Sequence, residues 1–445
     1  VRPIGIDLFS GAGGFSLGFE QAGFDIAAAV EIDPIHCAVH KYNFPDTVVI
    51  PQSVENVTGA EIRKKAKLGK KRVDCVFGGA PCQGFSLIGH RVLDDPRNKL
   101  VKDFVRLVSE LDSRYFVFEN VKGLTVGKHK AVLQEVVEEF DKVGYDVLTP
   151  WQVLNAAHFA TPQNRQRLFL LGAKKGEKLP SYPTPLTNIS GGKLISESLP
   201  FGPTCEEALS DLPDADRFED LLDSDEIAKV SYGKPSAYSS ELRCKSTKAW
   251  HLGYKRVWKT NVLTSSARTV HTDISKNRFA ATEQGSVEPV SRFFKLPGDG
   301  VSNTLRAGTD GARGAFTSPR PIHYAYNRCI TVREMARLHG FPDWFRLHVT
   351  KWHGARQVGN AVPPPLARAV ASSIVSAIGR KIEKPSNKLT LGDPALLTLD
   401  MTQASKYFGV EALANRRDRK SGAKKRKQVD IERERNALVG GSAYA

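Results

Sequence analysis

The first 175 residues predict an α/β fold with a mostly parallel sheet covered on both faces, and the stretch after them predicts a second, smaller domain of irregular β-rich character. Three observations carry this. Short apolar runs rich in β-formers alternate with amphipathic helical stretches up to residue 173. A glycine-rich turn stands between the first such run and the first helical stretch. From residue 174 to 328 the periodicity weakens and Pro, Gly, Ser and Thr dominate.

Taken in order, IGIDLF (4–9) is a strand, and Phe15, Leu17 and Phe19 open a helix that stops near Gly23. DIAAAVEID (25–33) and VDCVFGGAP (73–81) are further strands. Leu100, Phe104, Leu107, Val108 and Leu111 recur at helical spacing before the strand YFVFEN (115–120). Val132, Leu133, Val136, Val137 and Phe140 form one more amphipathic helix, and RLFLLGA (167–173) is a late strand. Helical order returns at TVREMARLHGFP (331–342), and a long helix follows the prolines of QVGNAVPPPLARAVASSIVSAIGRKI (357–382). The expected division is 1–173 for cofactor and catalysis, 174–328 for a second domain, 329–382 for a returning segment, and 383–445 for a basic appendage. MTQASKYFGVEAL (401–413) reads as a small helix pair within the appendage.

With 41 % hydrophobic and 25 % charged residues, the 445-residue chain has the composition of a globular protein. No apolar run approaches the ~18 residues of a membrane span. The first ten residues lack a charged-then-apolar leader, so the expectation is a cytoplasmic protein; Val1 suggests a trimmed start. Six cysteines without CxxC spacing make neither a disulfide framework nor a zinc site, and no metal is expected. The net charge of +16 favours a polyanionic partner. Eight Lys/Arg and one Asp between residues 416 and 427 supply +7 of it, which leaves +9 on the rest of the chain.

Gly11, Gly13 and Gly14 follow a strand and open a helix, where close backbone approach and a partly positive helix end suit a ligand. The pattern is shorter than the full dinucleotide fingerprint and lacks the Lys-Ser/Thr of a phosphate-binding loop. Glu31, 20 residues beyond Gly11 at the end of the second strand, can accept both ribose hydroxyls. A nucleoside cofactor without a pyrophosphate, such as S-adenosyl-methionine, fits this turn.

Cys82 lies in GGAPCQGFS (78–86), just past a strand in a polar loop, which favours a nucleophile over a packed thiol such as Cys75. His90 leaves a Cys–His pair open on this feature alone. Glu119 ends an apolar strand, where partial desolvation raises a carboxyl pKa; a salt-bridged strand end is the plainer alternative. Arg165 and Arg167, in QNRQRLF (163–169), alternate as clamps for a carboxylate or phosphate do.

In chain order these motifs resemble the cytosine-5 DNA methyltransferases of prokaryotic restriction–modification systems. DLFSGAGGFSLGF (7–19) resembles the family's cofactor motif, GGAPCQGFS its Pro-Cys motif, ENV (119–121) its glutamate motif and QNRQRLF its arginine motif. REMARLHGFP (333–342) and QVGNAVPPPLA (357–367) resemble its last two, so the likeness spans residues 4–380. It implies a methyltransferase Rossmann-like sheet with target recognition in 174–328.

The resemblance implies roles by position. Cys82 attacks carbon-6 of a flipped-out cytosine, Glu119 bonds ring nitrogen-3, and Arg165 orients that glutamate and holds the base with Arg167 in support. Phe9, Gly11, Gly13, Gly14 and Phe15 line the cofactor, Glu31 holds its ribose, and Pro81 and Leu100 flank it. Asn360 and Val362 close the pocket. Where the family carries an Asp for the adenine amino group, this chain has Pro51-Gln52-Ser53-Val54, and Ser53 is the expected substitute. Gln284 is named for the space the flipped base leaves. Arg97 is a candidate phosphate clamp, with a helix-start salt bridge as the alternative. TLRAGTDGARG (304–314), near the family's recognition edge, reads first as a connecting loop and second as a segment that touches the DNA backbone or bases. The implied partners are duplex DNA and a cognate restriction endonuclease, for a monomer working in the cytoplasm at the nucleoid. A tRNA cytosine-5 methyltransferase, a catalytically inactive DNA-binding relative and a nicotinamide oxidoreductase are the competing readings.

Overall fold

The computed structural model describes residues 1–81, 98–125, 130–308 and 319–412. The chain opens with β1 (Ile4–Leu8), α1 (Gly14–Ala22), β2 (Asp25–Val30), α2 (Pro34–Asn43), β3 (Val48–Ile50), α3 (Gly59–Lys65) and β4 (Cys75–Gly78). It continues through α4 (Lys99–Glu110), β5 (Tyr115–Val121), α5 (Lys130–Lys142), β6 (Tyr145–Val147), β7 (Gln152–Asn155) and β8 (Gln166–Lys174). One sheet takes all eight strands in the order β3-β2-β1-β4-β5-β8-β6, with β7 also paired to β8. The first five are parallel, and β8 runs antiparallel to β5, β6 and β7. The order reverses between β1 and β4, which opens a crevice at their carboxyl ends.

The runs that read as continuous apolar strands are buried on both faces, as a covered parallel sheet requires. One face packs against α4 and α5, where Phe116 stacks on Phe140 with ring centroids 3.7 Å apart. On the other, Phe77 stacks on Phe19 of α1 at 3.6 Å.

Residues 174–328 are irregular, as their composition implies, but not β-rich. Their regular elements are α6 (Cys205–Leu209), β9 (Ile227–Ala228), α7 (Ala237–Leu242), β10 (Lys255–Val257), β11 (Val262–Leu263) and α8 (Asp273–Ala281). Side chains capping short turns replace ladders: Thr204 and Ser236 each close a capping box. The main core of this stretch is not its own. Leu209, Leu212, Leu221 and Leu263 share one apolar cluster with Tyr42 of α2, with Phe44 just past it, and with Met335, Leu338 and Phe345.

The returning segment forms α9 (Val332–His339), α10 (Lys351–Asn360) and α11 (Pro364–Ile378). Residues 351–378 have the length and apolarity of a membrane span, but Ala361–Pro363 break them into two helices and the inner face of α11 joins the core. A Cβ on Gly18 of α1 would lie 2.3 Å from the Ala367 Cβ of α11, so these two helices meet nearly backbone to backbone. The motif at 333–342 turns out to be an anchor. Arg337, fully buried, bonds Asp211 at 2.8 Å and Asp343 at 2.6 Å, and Arg328 bonds Glu334 at 2.9 Å. Against the pull of burial, Arg328 brings the Glu334 carboxyl down to about 2.

The expected appendage is not free over its described part. β12 (Lys388–Thr390) pairs in parallel with β10, and Leu396 and Leu397 join the cluster shared with α2. α12 (Met401–Phe408) packs on α2. The weak periodicity of 383–400 hid this, because it docks by isolated leucines rather than an amphipathic face. A cut at 383 therefore removes packed structure.

Candidate active site at the carboxyl ends of the strands

β1, β2, β4 and β5 end on the same edge of the sheet, and each delivers part of the site. After β1 the backbone turns through Gly11 and Gly13, at φ 53° and 101°. A Cβ on Gly13 would stand 2.5 Å from the Phe44 ring, whereas one on Gly11 would meet nothing within 4 Å. The turn is thus packed from below and open at Gly11. It rests against the returning segment: a Cβ on Gly14 would lie 2.8 Å from both the Ala361 Cβ and the Val362 carbonyl oxygen.

Glu31, just past β2, is nearly buried and held by backbone alone. Its Oε2 accepts from the Gly11 N–H at 2.8 Å and its Oε1 from the Asp33 N–H at 2.9 Å. Each oxygen keeps a lone pair for a further donor. Ile32 beside it is 50 % exposed, an apolar surface next to a fixed acid. Deeper, Ser16 Oγ donates to Asp7 Oδ2 at 2.6 Å, and Asp7 Oδ1 has no partner among the described residues. Burial pushes the Asp7 carboxyl up to about 8; the Ser16 hydrogen bond opposes this and the Glu31 charge adds to it.

The Ser53 expectation meets a difference. Its hydroxyl caps the short turn Val54–Asn56, accepting from the Glu55 N–H at 3.4 Å. It is Gln52 whose Oε1 is buried without a partner among the described residues. Leu100 is half-buried against the core at the start of α4. Phe9 is half-buried on the same cluster and takes a positive φ of 62°. Phe15 is buried with its ring edge-on to Phe77 at 5.1 Å, so it packs the core rather than lining a cavity. Asn360 ends α10 exposed, and Val362 is buried.

Past β4, Gly79 lies under the Glu119 carboxylate: a Cβ there would stand 2.5 Å from Oε2. Asn120 Nδ2 donates to the Ala80 carbonyl at 2.9 Å and ties the end of β5 to the root of the Pro-Cys loop. Pro81 is exposed. Cys82, His90 and Arg97 lie outside the described residues, as do residues 309–314 of the glycine-rich segment.

Glu119 faces Phe169 across the antiparallel pair, and Val121 faces Arg167. The diagonal neighbour on its own face is therefore Arg167, whose Nε meets Glu119 Oε1 at 2.9 Å. Burial raises the Glu119 pKa above the ordinary carboxylate value, with Arg167 and then Arg165 opposing. Arg165 was the expected partner of this acid. It is instead turned inward and 1 % exposed, with Nη1 donating to Leu305 O at 2.9 Å and Nη2 to Gly359 O at 2.7 Å and Ala361 O at 3.0 Å. Arg165 precedes β8, so the ladder does not fix its direction and the incoming carbonyls do. Gln163 and His339 extend this junction: Gln163 Nε2 donates to His339 Nδ1 at 2.9 Å, and His339 Nε2 donates to Ala361 O at 3.0 Å. Burial holds His339 far below its ordinary pKa, which keeps that tautomer neutral. Gln284 is exposed; its amide donates to Tyr324 O at 3.2 Å and accepts from Gly298 N–H at 2.8 Å.

A five-stranded parallel sheet with an antiparallel return, a glycine turn after β1 and a backbone-held acid after β2 define the nucleoside-cofactor class of α/β methyltransferases. The C-5 cytosine-specific DNA methylase family model matches residues 5–376, and the chain belongs to that family. It is a DNA cytosine-5 methyltransferase. Over 412 residues it is 56 % identical to the Type II methyltransferase M.XorII of Xanthomonas oryzae pv. oryzae, covering 93 % of this chain and 94 % of the relative. Over 373 residues it is 34 % identical to M1.HphI of Haemophilus parahaemolyticus, covering 83 % and 86 %. The crystal structure of a prophage-encoded DNA modification methyltransferase from E. coli aligns at TM-score 0.67 and 31 % identity, over 85 % of this chain and all of that one. That of S. pombe Dnmt2, at TM-score 0.50 and 15 % identity over 85 % of this chain, shares the fold.

Proposed function

We propose that the chain transfers a methyl group to carbon-5 of a flipped-out cytosine in a specific duplex DNA sequence, as the modification half of a restriction–modification pair. The observation that carries the reading is the buried Glu119–Arg167 pair lying over Gly79, three residues before Cys82. A target ring carbon is a poor nucleophile, so the ring must first be activated. The Cys82 thiolate adds to carbon-6, and the ring electrons move toward nitrogen-3, where protonated Glu119 donates its proton. Carbon-5 is then nucleophilic and takes the methyl group. Loss of the carbon-5 proton to solvent or hydroxide expels the thiolate, while nitrogen-3 returns its proton to Glu119. Arg167 holds that carboxyl in place, and Arg165 is a positioning residue acting through the backbone at 305, 359 and 361.

The residues present fit S-adenosyl-methionine, which supplies an electrophilic methyl when bound. Glu31 offers its two remaining lone pairs to the ribose, Ile32 an apolar surface to the adenine, and the orphan Gln52 Oε1 an acceptor to the adenine amino group. Gln52 thus takes the task expected of Ser53. Gly11, Gly14 and Val362 shape the mouth. Base reading falls to residues 174–328, and work on cellular DNA places the enzyme with the nucleoid.

The test is incubation with labelled S-adenosyl-methionine and unmethylated duplex DNA, read by nucleoside mass spectrometry. The expected product is 5-methylcytosine, absent with Cys82→Ser while DNA binding persists. Label in tRNA alone would replace the substrate, and turnover above about a tenth of wild type in the Ser variant would remove Cys82 as nucleophile.

A further inference from the structure

α1 ends at Gln21 and Ala22, and beside them a cavity of about 650 Å³ opens between α1, α11, residues 181–186 and residues 248–252. α1 is nine residues long, so at 1.5 Å per residue this end stands about 14 Å from the glycine turn. The cavity therefore lies toward the opposite edge of the sheet from Gly79 and Glu119.

Its lining is cationic and hydroxyl-bearing. Lys248 and Lys384 border it, both exposed and with no ion-pair partner among the described residues. Arg368 of α11 also lines it, its Nη1 donating to Gln21 Oε1 at 3.1 Å. No lining residue is acidic. The carboxylate behind, Glu241, is shared between His251 at 2.8 Å and Arg368 at 3.7 Å. Three cations against one carboxylate leave a net charge of +2. Ser372 and Ser376 continue the row of Arg368 along α11 at helical spacing, and Ser181 and Thr184 face them. The remaining wall is apolar: Leu186, Leu252 and the ring of Tyr182, which is fixed by a 2.9 Å hydrogen bond from its hydroxyl to Phe169 O.

Cations, hydroxyls, a held aromatic ring and leucines lining one cavity suit a ligand that joins an anionic group, hydroxyls and a flat apolar group. We propose that this cavity binds a phosphorylated small molecule of mononucleotide size, at a site separate from the cofactor end and from the DNA. The inference does not rest on the catalytic roles assigned above.

The test uses the full chain saturated with S-adenosyl-homocysteine, so that the cofactor end is filled, and titrates guanosine diphosphate by calorimetry. The expected result is one site per chain with a Kd below about 1 mM. The double variant Lys248→Ala/Lys384→Ala should bind at least about tenfold more weakly. Both lysines are exposed, and unchanged S-adenosyl-homocysteine affinity in the double variant checks its fold. Absence of binding, equal affinity in the double variant, or displacement of the nucleotide by a short DNA duplex would each overturn the proposal. Inorganic pyrophosphate binding as tightly as the nucleotide would overturn the nucleotide-sized ligand.

Discussion

Two acids sit on one edge of the sheet and are held in different ways. On the parallel side, Glu31 is fixed by two backbone N–H groups over an open glycine turn. On the antiparallel side, Glu119 is fixed by the Arg167 guanidinium, with Arg165 close by holding three backbone carbonyls. The first arrangement offers a preformed acceptor and asks little of any other side chain. The second keeps a nearly buried carboxyl whose pKa is raised, and it depends on charges whose loss leaves others unpaired.

The largest effect is expected where the second arrangement joins the chain together. Arg165→Ala strands three carbonyls and should cost about 3–5 kcal/mol in chemical denaturation. A cost under about 1 kcal/mol would mean that the junction at 305, 359 and 361 holds without it. Glu119→Gln keeps the shape but fixes the proton count and leaves the Arg167 guanidinium without its carboxylate, so turnover should fall about 100-fold and the melting temperature should drop as well. Because the Glu119 pKa is raised and its protonated form is the proposed donor, wild-type turnover should also decline as pH rises through that pKa.

Smaller effects probe the parallel side. Gly14→Ala places a methyl 2.8 Å from Ala361 and Val362, which should cost about 1–3 kcal/mol and raise the cofactor KM more than it lowers kcat. Asp7→Asn should act only through the pH dependence of stability. The folded carboxyl sits at about 8 against an ordinary 3.8, so the folded state binds the extra proton in that window. Wild-type stability therefore falls as pH rises from about 4 to about 8, and the Asn variant should lose that slope in melts across pH.

How legible each side was in the sequence follows the same divide. The glycine turn and Glu31 could be read from spacing, because backbone geometry constrains residue type locally. Glu119 could be read as a strand-end acid, but its partner could not: choosing Arg167 over Arg165 needs the β5–β8 register, which links residues some 50 positions apart. Gln52 escaped because only burial separates it from Ser53, and Ile32 because a single exposed isoleucine has no pattern. In residues 174–328, turns capped by side chains and a core shared with α2 leave no periodicity to find.

The fit of Gly18 against Ala367 has a consequence for how the molecule is made. The opening strand and helix of the cofactor end leave the ribosome almost 350 residues before the helix that covers them. At about 5–20 residues per second, the wait is roughly 20 to 70 s. Throughout that interval Phe15, Phe19 and the small-residue face of α1 lack their α11 partner, so the nascent chain carries an uncovered apolar strip until nearly the last helix has been synthesised.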